Sequence, residues 1–351
     1  MRGSAQSTTA STRSAGSTPW SLTHPVREVL RARRAAGSKP GRRDDGLKVG
    51  LAVEGGGLRG VVSAAMLTAI EDFGYADAFD DVYACSSGGM NAAYFSTRDT
   101  WFPLSIYFDD LTTGDFLDFS RVLRREGPMN LDYVFDDVAT RRKPLDYPAI
   151  LTAAQRLHVL VTDVDTLEPL DVSDFESPAD LRAALRAGAW LPLAVRGTAM
   201  FRGHRAIDGG VLQPHPFRTA LADGCTHVLS LSTRPIAPLR PAVPLTDRMV
   251  SRYLERMRPG LGTAFLTALR RYLTDDRPYL ARARREPDDD RAVLDLAPLP
   301  RTPEVKRHET NRGTLLDGAR SAYRAAHLAL EGADALIVPR MTVYRDHSPT
   351  G

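Results

Sequence analysis

Two stretches of the chain share one design: KVGLAVEGGGLRG at residues 48–60 and VYACSSGGMNAAYF at residues 82–95. In each, a short apolar run ends in small residues, and the chain then continues with helical spacing. Apolar runs of this length bounded by turn residues are typical of buried strands. Similar runs follow at 157–162 and 227–231. Strands that alternate with helices predict an α/β domain with a mainly parallel sheet.

The rest of the sequence falls into segments of different texture. Residues 1–46 have few large apolar side chains and much Ser, Thr and Arg, which predicts a disordered basic tail. We assign residues 47–235 to the main α/β domain. We assign 236–340 to helices and an edge strand at 292–296 that complete the same fold, and 341–351 to a second disordered tail.

Composition limits the classes of function. The 351 residues carry a net charge of +3, but the first 45 carry a net +6, which leaves −3 for the remainder. The body of the protein therefore gives no reason to expect a nucleic-acid partner. The two cysteines, Cys85 and Cys225, form no disulfide framework and fit a reducing compartment. No run approaches the ~18 apolar residues of a membrane span, and the N-terminus lacks the apolar core of a signal peptide, so we expect a cytoplasmic protein.

The glycine-rich turn GGGLRG at residues 55–60 lies between a predicted strand and a predicted helix. Exposed backbone N–H groups at such a turn bind negative charge, either a pyrophosphate or the oxyanion of an acyl-transfer intermediate. The spacing also satisfies the dinucleotide fingerprint G-x-G-x-x-G, which needs an acidic residue at the end of the next strand. Asp80 and Asp81 precede that strand, and serine stands at its end. This position suits a nucleophile better than a ribose clamp.

A nucleophile elbow places serine on a sharp strand-to-helix turn with small residues two before and two after it. The sequence Ala84-Cys85-Ser86-Ser87-Gly88 allows two frames. Ala84 departs less from glycine than Cys85 does, so sterics favour Ser86, which also directly follows the strand. The other interpretation is a serine-rich turn that only caps the next helix.

A serine nucleophile needs a base, which is most often a histidine held by a carboxylate. The chain has eight histidines, and none stands in a recognisable triad context. His204 and His215 are the best candidates among them because they flank the motif Asp208-Gly209-Gly210. That motif places a carboxylate on a glycine turn at the edge of the core, although an ordinary Asp-Gly hairpin turn would have the same sequence.

Together the three motifs resemble the patatin-like phospholipase family. That family has a G-G-G-x-R-G turn, a G-x-S-x-G elbow and a later D-G-G or D-G-A turn, in this order. The wider sequence is also similar in LAVEGGGLRGVVSAAML (51–67), SSGGMNAAY (86–94) and DGGVLQP (208–214). The family's S-x-G-x-x-N-A pattern selects the Ser86 frame, and Ala84 stands where the family usually has glycine.

The resemblance implies a three-layer α/β/α domain with a mainly parallel central sheet and a C-terminal helical elaboration. It also implies a Ser–Asp dyad without histidine, in which Ser86 attacks the acyl carbonyl and Asp208 accepts the serine proton and later activates water. The remaining implied site residues are Gly55, Gly56 and Gly57 as oxyanion hole, with Arg59, Gly60, Gly88, Gly209 and Gly210 as supporting motif residues. Arg59 would be structural or would steer anionic head groups. No cofactor and no metal are expected.

The implied reaction is hydrolysis of lipid esters, of the phospholipase A or lysophospholipase kind. Two alternatives stay open: a dinucleotide-binding protein built on the 55–60 turn, and a non-catalytic family member that acts in binding. The presence of both Ser86 and Asp208 argues against the second alternative. Residues 247–285 have apolar side chains at helical spacing beside many arginines. This pattern predicts either basic helices that touch an anionic membrane or helices docked on the core with a solvated basic face.

Overall fold

The computed structural model of the protein describes residues 18–238, 243–288 and 291–332. The α-helices in these ranges are α1 (Pro25–Ala35), α2 (Val61–Asp72), α3 (Ser87–Ser96), α4 (Trp101–Asp109), α5 (Tyr147–Thr152), α6 (Pro178–Gly188), α7 (Phe217–Ala222), α8 (Leu245–Met257), α9 (Leu261–Arg271), α10 (Arg277–Ala283) and α11 (Arg312–Glu331). The strands are β1 (Val49–Val53), β2 (Asp81–Cys85), β3 (Arg156–Asp163), β4 (Glu168–Val172), β5 (Ala199–Phe201), β6 (His204–Asp208), β7 (His227–Leu231) and β8 (Ala292–Leu296). Shorter π-helical segments cover Tyr133–Arg142 and Tyr272–Asp276.

All strands belong to one sheet, with the hydrogen-bonded path β5-β6-β3-β2-β1-β7-β8 and β4 paired with β3. The central strands β3, β2, β1, β7 and β8 are parallel, whereas β4 and β6 run antiparallel to β3. The prediction of an α/β fold with a mainly parallel sheet is therefore confirmed. The strands predicted at 48–53, 82–85, 157–162, 227–231 and 292–296 are present within one residue, and β8 lies at the sheet edge as expected. Strands β4 and β6 were not predicted because their half-polar sequences give no apolar run, and β5 was not predicted because it has only three residues.

Helices cover both faces of the sheet. Leu51 and Val53 of β1 face the larger core cluster, which includes side chains of α2, α3 and α11, while Ala52 between them faces a second cluster with α7 and α10. This alternation is the period of two that a strand imposes on its side chains. A third cluster joins α8 and α9 to the residues that follow β3 and β6. The site at the strand ends is thus enclosed between layers.

The prediction of a disordered N-terminal tail is wrong for residues 18–46, whereas residues 1–17 lie outside the described part of the chain. Helix α1 buries Val26 and Leu30 completely, and Trp20 packs in the same core with its Nε1 donating a 2.7 Å hydrogen bond to Asp295 O. A low average apolar content predicts disorder only when the few apolar side chains find no partner. Here they complete the main core.

Arg33 on α1 shows how a basic residue can belong to the interior. Its side chain is buried, and its guanidinium donates to the carboxylates of Asp45 and Asp80 and to the carbonyl oxygens of Ala78 and Leu47, at 2.7–3.0 Å. All five N–H donors of the side chain are used, which offsets the cost of burying the charge. The positive charge of this segment therefore belongs in part to the fold.

The C-terminal part is helical as predicted. The helices expected between 245 and 285 are α8, α9 and α10, and the helix expected at 314–330 is α11, which packs against α2. The predicted tail at 341–351 lies outside the described residues. Among the described residues, no helix is both long and apolar enough to cross a membrane.

The packing of α1 predicts that Leu30→Ala lowers the free energy of unfolding by about 2–5 kcal/mol, the usual cost of emptying a buried leucine site. Urea denaturation measures this change. Glu28→Ala on the exposed face of the same helix is the matched control and should cost less than about 1 kcal/mol. Equal effects of the two substitutions would mean that α1 does not pack on the core.

Candidate active site

The glycine-rich turn follows β1 and leads through a 3-10 turn, Gly57–Gly60, into α2. Gly57 has a φ of 61°, in the left-handed region that favours glycine. A Cβ atom on Gly57 would also lie 2.7 Å from the carbonyl oxygen of Arg307, which accepts a 2.9 Å hydrogen bond from the Leu58 N–H. The turn is therefore held by a segment that is distant in sequence.

Ser86 connects β2 to α3 with φ 56° and ψ −140°. For a residue with a Cβ atom, such a conformation costs about 1–3 kcal/mol and persists only where the surroundings impose it. The glycines of the neighbouring motifs allow close packing there: a Cβ on Gly55 would lie 2.7 Å from the Ser86 Cβ, and one on Gly88 would lie 2.6 Å from the carbonyl that ends β1. Ala84, the departure from the family pattern, is fully buried and does not prevent the strained turn.

The sheet register brings Asp208 next to Ser86. Leu160 of β3 pairs with Cys85 at the end of β2, and the next residue of β3, Val161, pairs with Asp208 at the end of β6. Both β3 residues pair on their other side with β4. Strands β2 and β6 therefore lie end to end along the same side of β3, and their last residues meet where the chain turns at Ser86.

The carboxylate of Asp208 is buried and only half satisfied. Its Oδ1 accepts a 2.8 Å hydrogen bond from the Gly210 N–H, while its Oδ2 has no partner in hydrogen-bonding geometry among the described residues, although the Ser86 hydroxyl is close enough to lower the pKa of the carboxyl group. Burial raises the pKa of Asp208 to about 6, against the opposing effects of the Ser86 hydroxyl, the Gly210 N–H and the charge of Arg307. A carboxylate with a raised pKa beside a hydroxyl is suited to accept its proton near neutral pH.

The two supporting glycines of the aspartate motif have separate contacts. Gly209 lies against the backbone of Leu160, where a side chain would collide with it. Gly210 supplies the N–H that binds Asp208. Together they fix the carboxylate at the end of β6.

Ser87, the other serine of the elbow, has a different position. Its Oγ accepts a 3.1 Å hydrogen bond from the Gly56 N–H, and Tyr107 is close enough to hydrogen-bond with it. Asn91 extends this buried network, since its Nδ2 donates to the Gly60 carbonyl at 2.9 Å and its Oδ1 accepts from the Tyr107 hydroxyl at 3.2 Å. Ser87 therefore links the elbow to the glycine-rich turn.

His204 and His215, the histidines that flank the aspartate motif, have partners other than Ser86. His215 is buried with its Nε2 3.3 Å from Ser230 Oγ and 3.5 Å from Ser232 Oγ, and His204 lies 3.0 Å from Asp163 on the surface. No histidine in the described ranges lines either cavity at Ser86, and His347 lies outside these ranges. The only carboxylate we find beside the serine among the described residues is that of Asp208.

Two cavities meet at Ser86. The first, called the polar cavity below, is about 140 Å³ in volume and is lined by charged side chains, including Asp208, together with apolar ones such as Val250, Phe265 and Leu269. The second, of about 70 Å³, is almost entirely apolar. Ser86, Gly57 and Leu191 line both. The apolar cavity is lined further by Met90, Ile106, Leu111, Phe116, Leu131 and Phe135.

Arg59 belongs to a charged wall of the polar cavity. Its buried side chain donates a 3.0 Å hydrogen bond to Thr233 Oγ1 and lies 3.7 Å from Glu304, while Arg234 pairs with Glu54 and Glu304 at 3.7 and 3.6 Å. Burial lowers the pKa of Arg59 to about 9. These contacts tie Arg59 to Thr233 and Glu304, and its guanidinium also lies beside Gly56 of the turn. No sequence motif indicates that Arg234, Glu304 and Arg307 lie at the site, because these residues come after the three motifs and belong to no pattern of their own.

Two groups of side chains elsewhere have the composition of a metal site: Asp81 with His158 and Asp223, and Asp163 with Asp165 and His204. Both lie outside the cavities at Ser86. The carboxylates of the first group bind Lys48 and Arg156, and Asp165 of the second binds Arg205. These ion pairs explain the acidic groups without a metal.

The family model of patatin-like phospholipases matches residues 51–221. No curated protein matches the sequence. Among solved structures, the crystal structure of VipD from Legionella pneumophila is similar, at 12% sequence identity and a TM-score of 0.44, over 82% of this chain and 67% of that one.

The matched range contains the glycine-rich turn, the serine elbow and the aspartate turn, which are the motifs that resemble the family. The α/β architecture and the order of the motifs along the sheet agree with this match. Residues 51–221 are therefore a patatin-like phospholipase domain, and this match supports a general activity as a lipid acyl hydrolase.

Proposed function

We propose that the protein is a serine acyl hydrolase that cleaves lipid esters, of the phospholipase A or lysophospholipase kind, through a dyad of Ser86 and Asp208. The observation that carries this proposal is the strained serine at the junction of two cavities, directly beside a buried carboxylate with an unbonded oxygen. The dinucleotide alternative has no comparable support, because Asp80 and Asp81 lie at the start of β2, away from the glycine-rich turn at the other end of the strands.

In the proposed reaction, Ser86 Oγ attacks the ester carbonyl as its proton passes to Asp208. The tetrahedral intermediate collapses to an acyl-enzyme, and the leaving alcohol takes the proton from Asp208. A water molecule then gives its proton to Asp208 and attacks the acyl-enzyme carbonyl. Collapse releases the fatty acid, and Asp208 returns the proton to Ser86.

The glycine-rich turn supplies the proposed oxyanion donors. Among the described residues the Gly57 N–H has no acceptor, so it is available at the junction of the cavities. The Gly56 N–H is bound to Ser87 Oγ in this state and must exchange that partner to serve. Helix α3 begins directly after Ser86, so its first N–H groups and the positive end of its dipole also lie next to the serine. Removal of one such donor typically costs ~10²–10³ in turnover.

The apolar cavity is the proposed site of the acyl chain. Its lining buries hydrocarbon and offers few polar groups, whereas the polar cavity, which also reaches Ser86, carries three arginines (Arg59, Arg234 and Arg307) and three acidic residues (Glu54, Asp208 and Asp247). A lipid ester likewise has an apolar acyl chain on one side of its carbonyl group and a more polar alcohol part on the other. The two cavities therefore support a substrate with an apolar chain on one side of the ester and a polar group on the other.

Peripheral contact with a membrane through residues 247–285, and a cytoplasmic location, remain part of this proposal. Most apolar side chains of these helices face the core: Leu254 and Leu261 are fully buried, and Phe265 nearly so. Only the start of α8 presents large apolar side chains, with Leu245 75% and Met249 66% exposed beside Arg248 and Arg252. This end of α8 is the part of the segment suited to an anionic surface.

A fluorophosphonate probe tests the nucleophile. Labelling should vanish in Ser86→Ala, because the probe reacts with the activated hydroxyl. Labelling should persist in Ser87→Ala, because Ser87 Oγ accepts from the Gly56 N–H and is not the proposed nucleophile. Labelling lost only in Ser87→Ala would place the nucleophile in the other frame.

The proposed role of Asp208 as the catalytic base predicts a pH dependence of activity. As a base it must be ionised, so kcat/KM should rise with pH through a midpoint near its pKa of about 6. Asp208→Asn should abolish turnover. Measurable hydrolysis by Asp208→Asn above that of Ser86→Ala would rule out the dyad.

The raised pKa of Asp208 also predicts that the free energy of unfolding depends on pH. Because the pKa of Asp208 is raised in the folded state, the folded protein binds the proton more tightly, and stability falls as pH rises from about 4 to about 6. Asp208→Asn removes the buried charge and should raise the free energy of unfolding at pH 8 by about 1–3 kcal/mol, with a smaller gain at pH 4. Urea denaturation at the two pH values measures the difference. A loss of stability at pH 8 would contradict the raised pKa.

Vesicle sedimentation tests the membrane contact in a Ser86→Ala background, where no lipid is consumed. The double substitution Leu245→Asp and Met249→Asp should weaken binding to anionic phospholipid vesicles at least tenfold, since it removes apolar contact and adds repulsion. Leu123→Asp is the control, at a leucine that is 89% exposed in the segment Phe119–Arg124. Loss of binding only in Leu123→Asp would show that α8 is not the contact.

A further inference from the structure

We propose that Arg307 recognises the anionic group of the substrate, a phosphate in the case of a phospholipid, and so makes the enzyme selective for anionic lipid esters. This inference rests on the proposed function and adds a specificity-determining residue from outside the family domain. Arg307 lies in the segment between β8 and α11, 86 positions after the end of the family match.

The backbone of Arg307 is attached directly to the glycine-rich turn. Its carbonyl oxygen accepts the 2.9 Å hydrogen bond from the Leu58 N–H and lies where a side chain on Gly57 would stand. Arg307 is therefore held beside the proposed oxyanion donor. The segment that carries it is anchored in the core two residues earlier, where Val305 is buried.

Arg307 lines the polar cavity and is solvent-exposed, and its guanidinium makes no ion pair or hydrogen bond with any part of the chain that the structure describes. The other two arginines of the cavity differ in this respect. Arg59 and Arg234 are paired with Glu54 and Glu304. Their charges are balanced within the protein, whereas the charge of Arg307 is available to a ligand.

The charge of Arg307 reaches the reacting groups. Asp208 and Cys85 both line the cavity, and burial raises the pKa of each. The positive charge of Arg307 opposes this effect and lowers both pKa values. A cation close enough to lower the pKa of Asp208 is also close enough to attract an anionic group attached to an ester bound at Ser86. Because the apolar cavity lies on the other side of Ser86, Arg307 faces the polar half of the lipid.

The chemistry of arginine selects the ligand. A guanidinium binds phosphate or carboxylate oxygens through two parallel N–H donors, and such charge-assisted bonds are about twice as strong as neutral ones. A neutral head group offers no matching charge. Arg307 therefore favours substrates that carry a phosphate or another anion near the cleaved ester.

The test uses monomeric short-chain substrates below their critical micelle concentration, so that membrane binding plays no part. Dihexanoyl phosphatidylglycerol and dihexanoyl glycerol have the same acyl chains and differ in the anionic phosphate. Arg307→Gln should lower kcat/KM for the phospholipid about tenfold relative to the neutral ester, and Arg307→Lys should restore part of the difference. Lys306→Gln is the matched control, because Lys306 is the neighbouring exposed cation and does not line the cavity.

A binding measurement keeps this proposal separate from the proposed hydrolysis. In the Ser86→Ala protein, calorimetric titration with dihexanoyl phosphatidylglycerol should give about tenfold weaker binding when Arg307→Gln is added, and no change with Lys306→Gln. Equal losses for the anionic and neutral substrates, or an unchanged affinity of the Arg307→Gln protein, would overturn the role of Arg307. Failure of the wild type to hydrolyse either ester while the binding difference holds would overturn only the proposed reaction.

Discussion

The left-handed turn at Ser86 is the constraint on which the rest of the site depends. It directs the serine side chain out of the sheet at the point where β2 ends, and the close approach of Gly55 and Gly88 holds it there. Because β6 continues along the side of β3 that β2 leaves free, the same turn makes room for Asp208. The strain is maintained by packing from three segments that the sheet brings together.

The environment of Asp208 shows how a fold adjusts the pKa of a carboxyl group. Burial raises its pKa to about 6, while the Gly210 N–H and the charge of Arg307 keep the ionised form accessible. The unbonded Oδ2 is unfavourable for stability, since buried polar atoms usually find a partner. Such an unsatisfied acceptor beside a hydroxyl is the kind of cost that proteins accept at functional sites.

The site is completed by parts of the chain that lie beyond the family domain. Arg234, Tyr272 and Arg307 line the polar cavity together with Phe265 of α9. The Tyr272 hydroxyl donates a 3.2 Å hydrogen bond to Glu54, so the C-terminal helices are tied to the residue that precedes the glycine-rich turn. The family domain carries the proposed reacting groups, and the later segments determine what surrounds them.

The sequence by itself determined the α/β class, the five parallel strands and the three motifs, because buried strands need apolar runs and sharp turns need glycine. It did not determine that Trp20, Val26 and Leu30 complete the core, since a few apolar residues in a polar stretch say nothing about where they pack. It also left Arg59 with two roles and Arg307 with none. Only the tertiary structure decided that Arg59 is paired and Arg307 is not, because charge balance depends on neighbours that are distant in sequence. The same reason applies to Ser86 and Asp208, 122 positions apart, which meet through the register of one strand, β3.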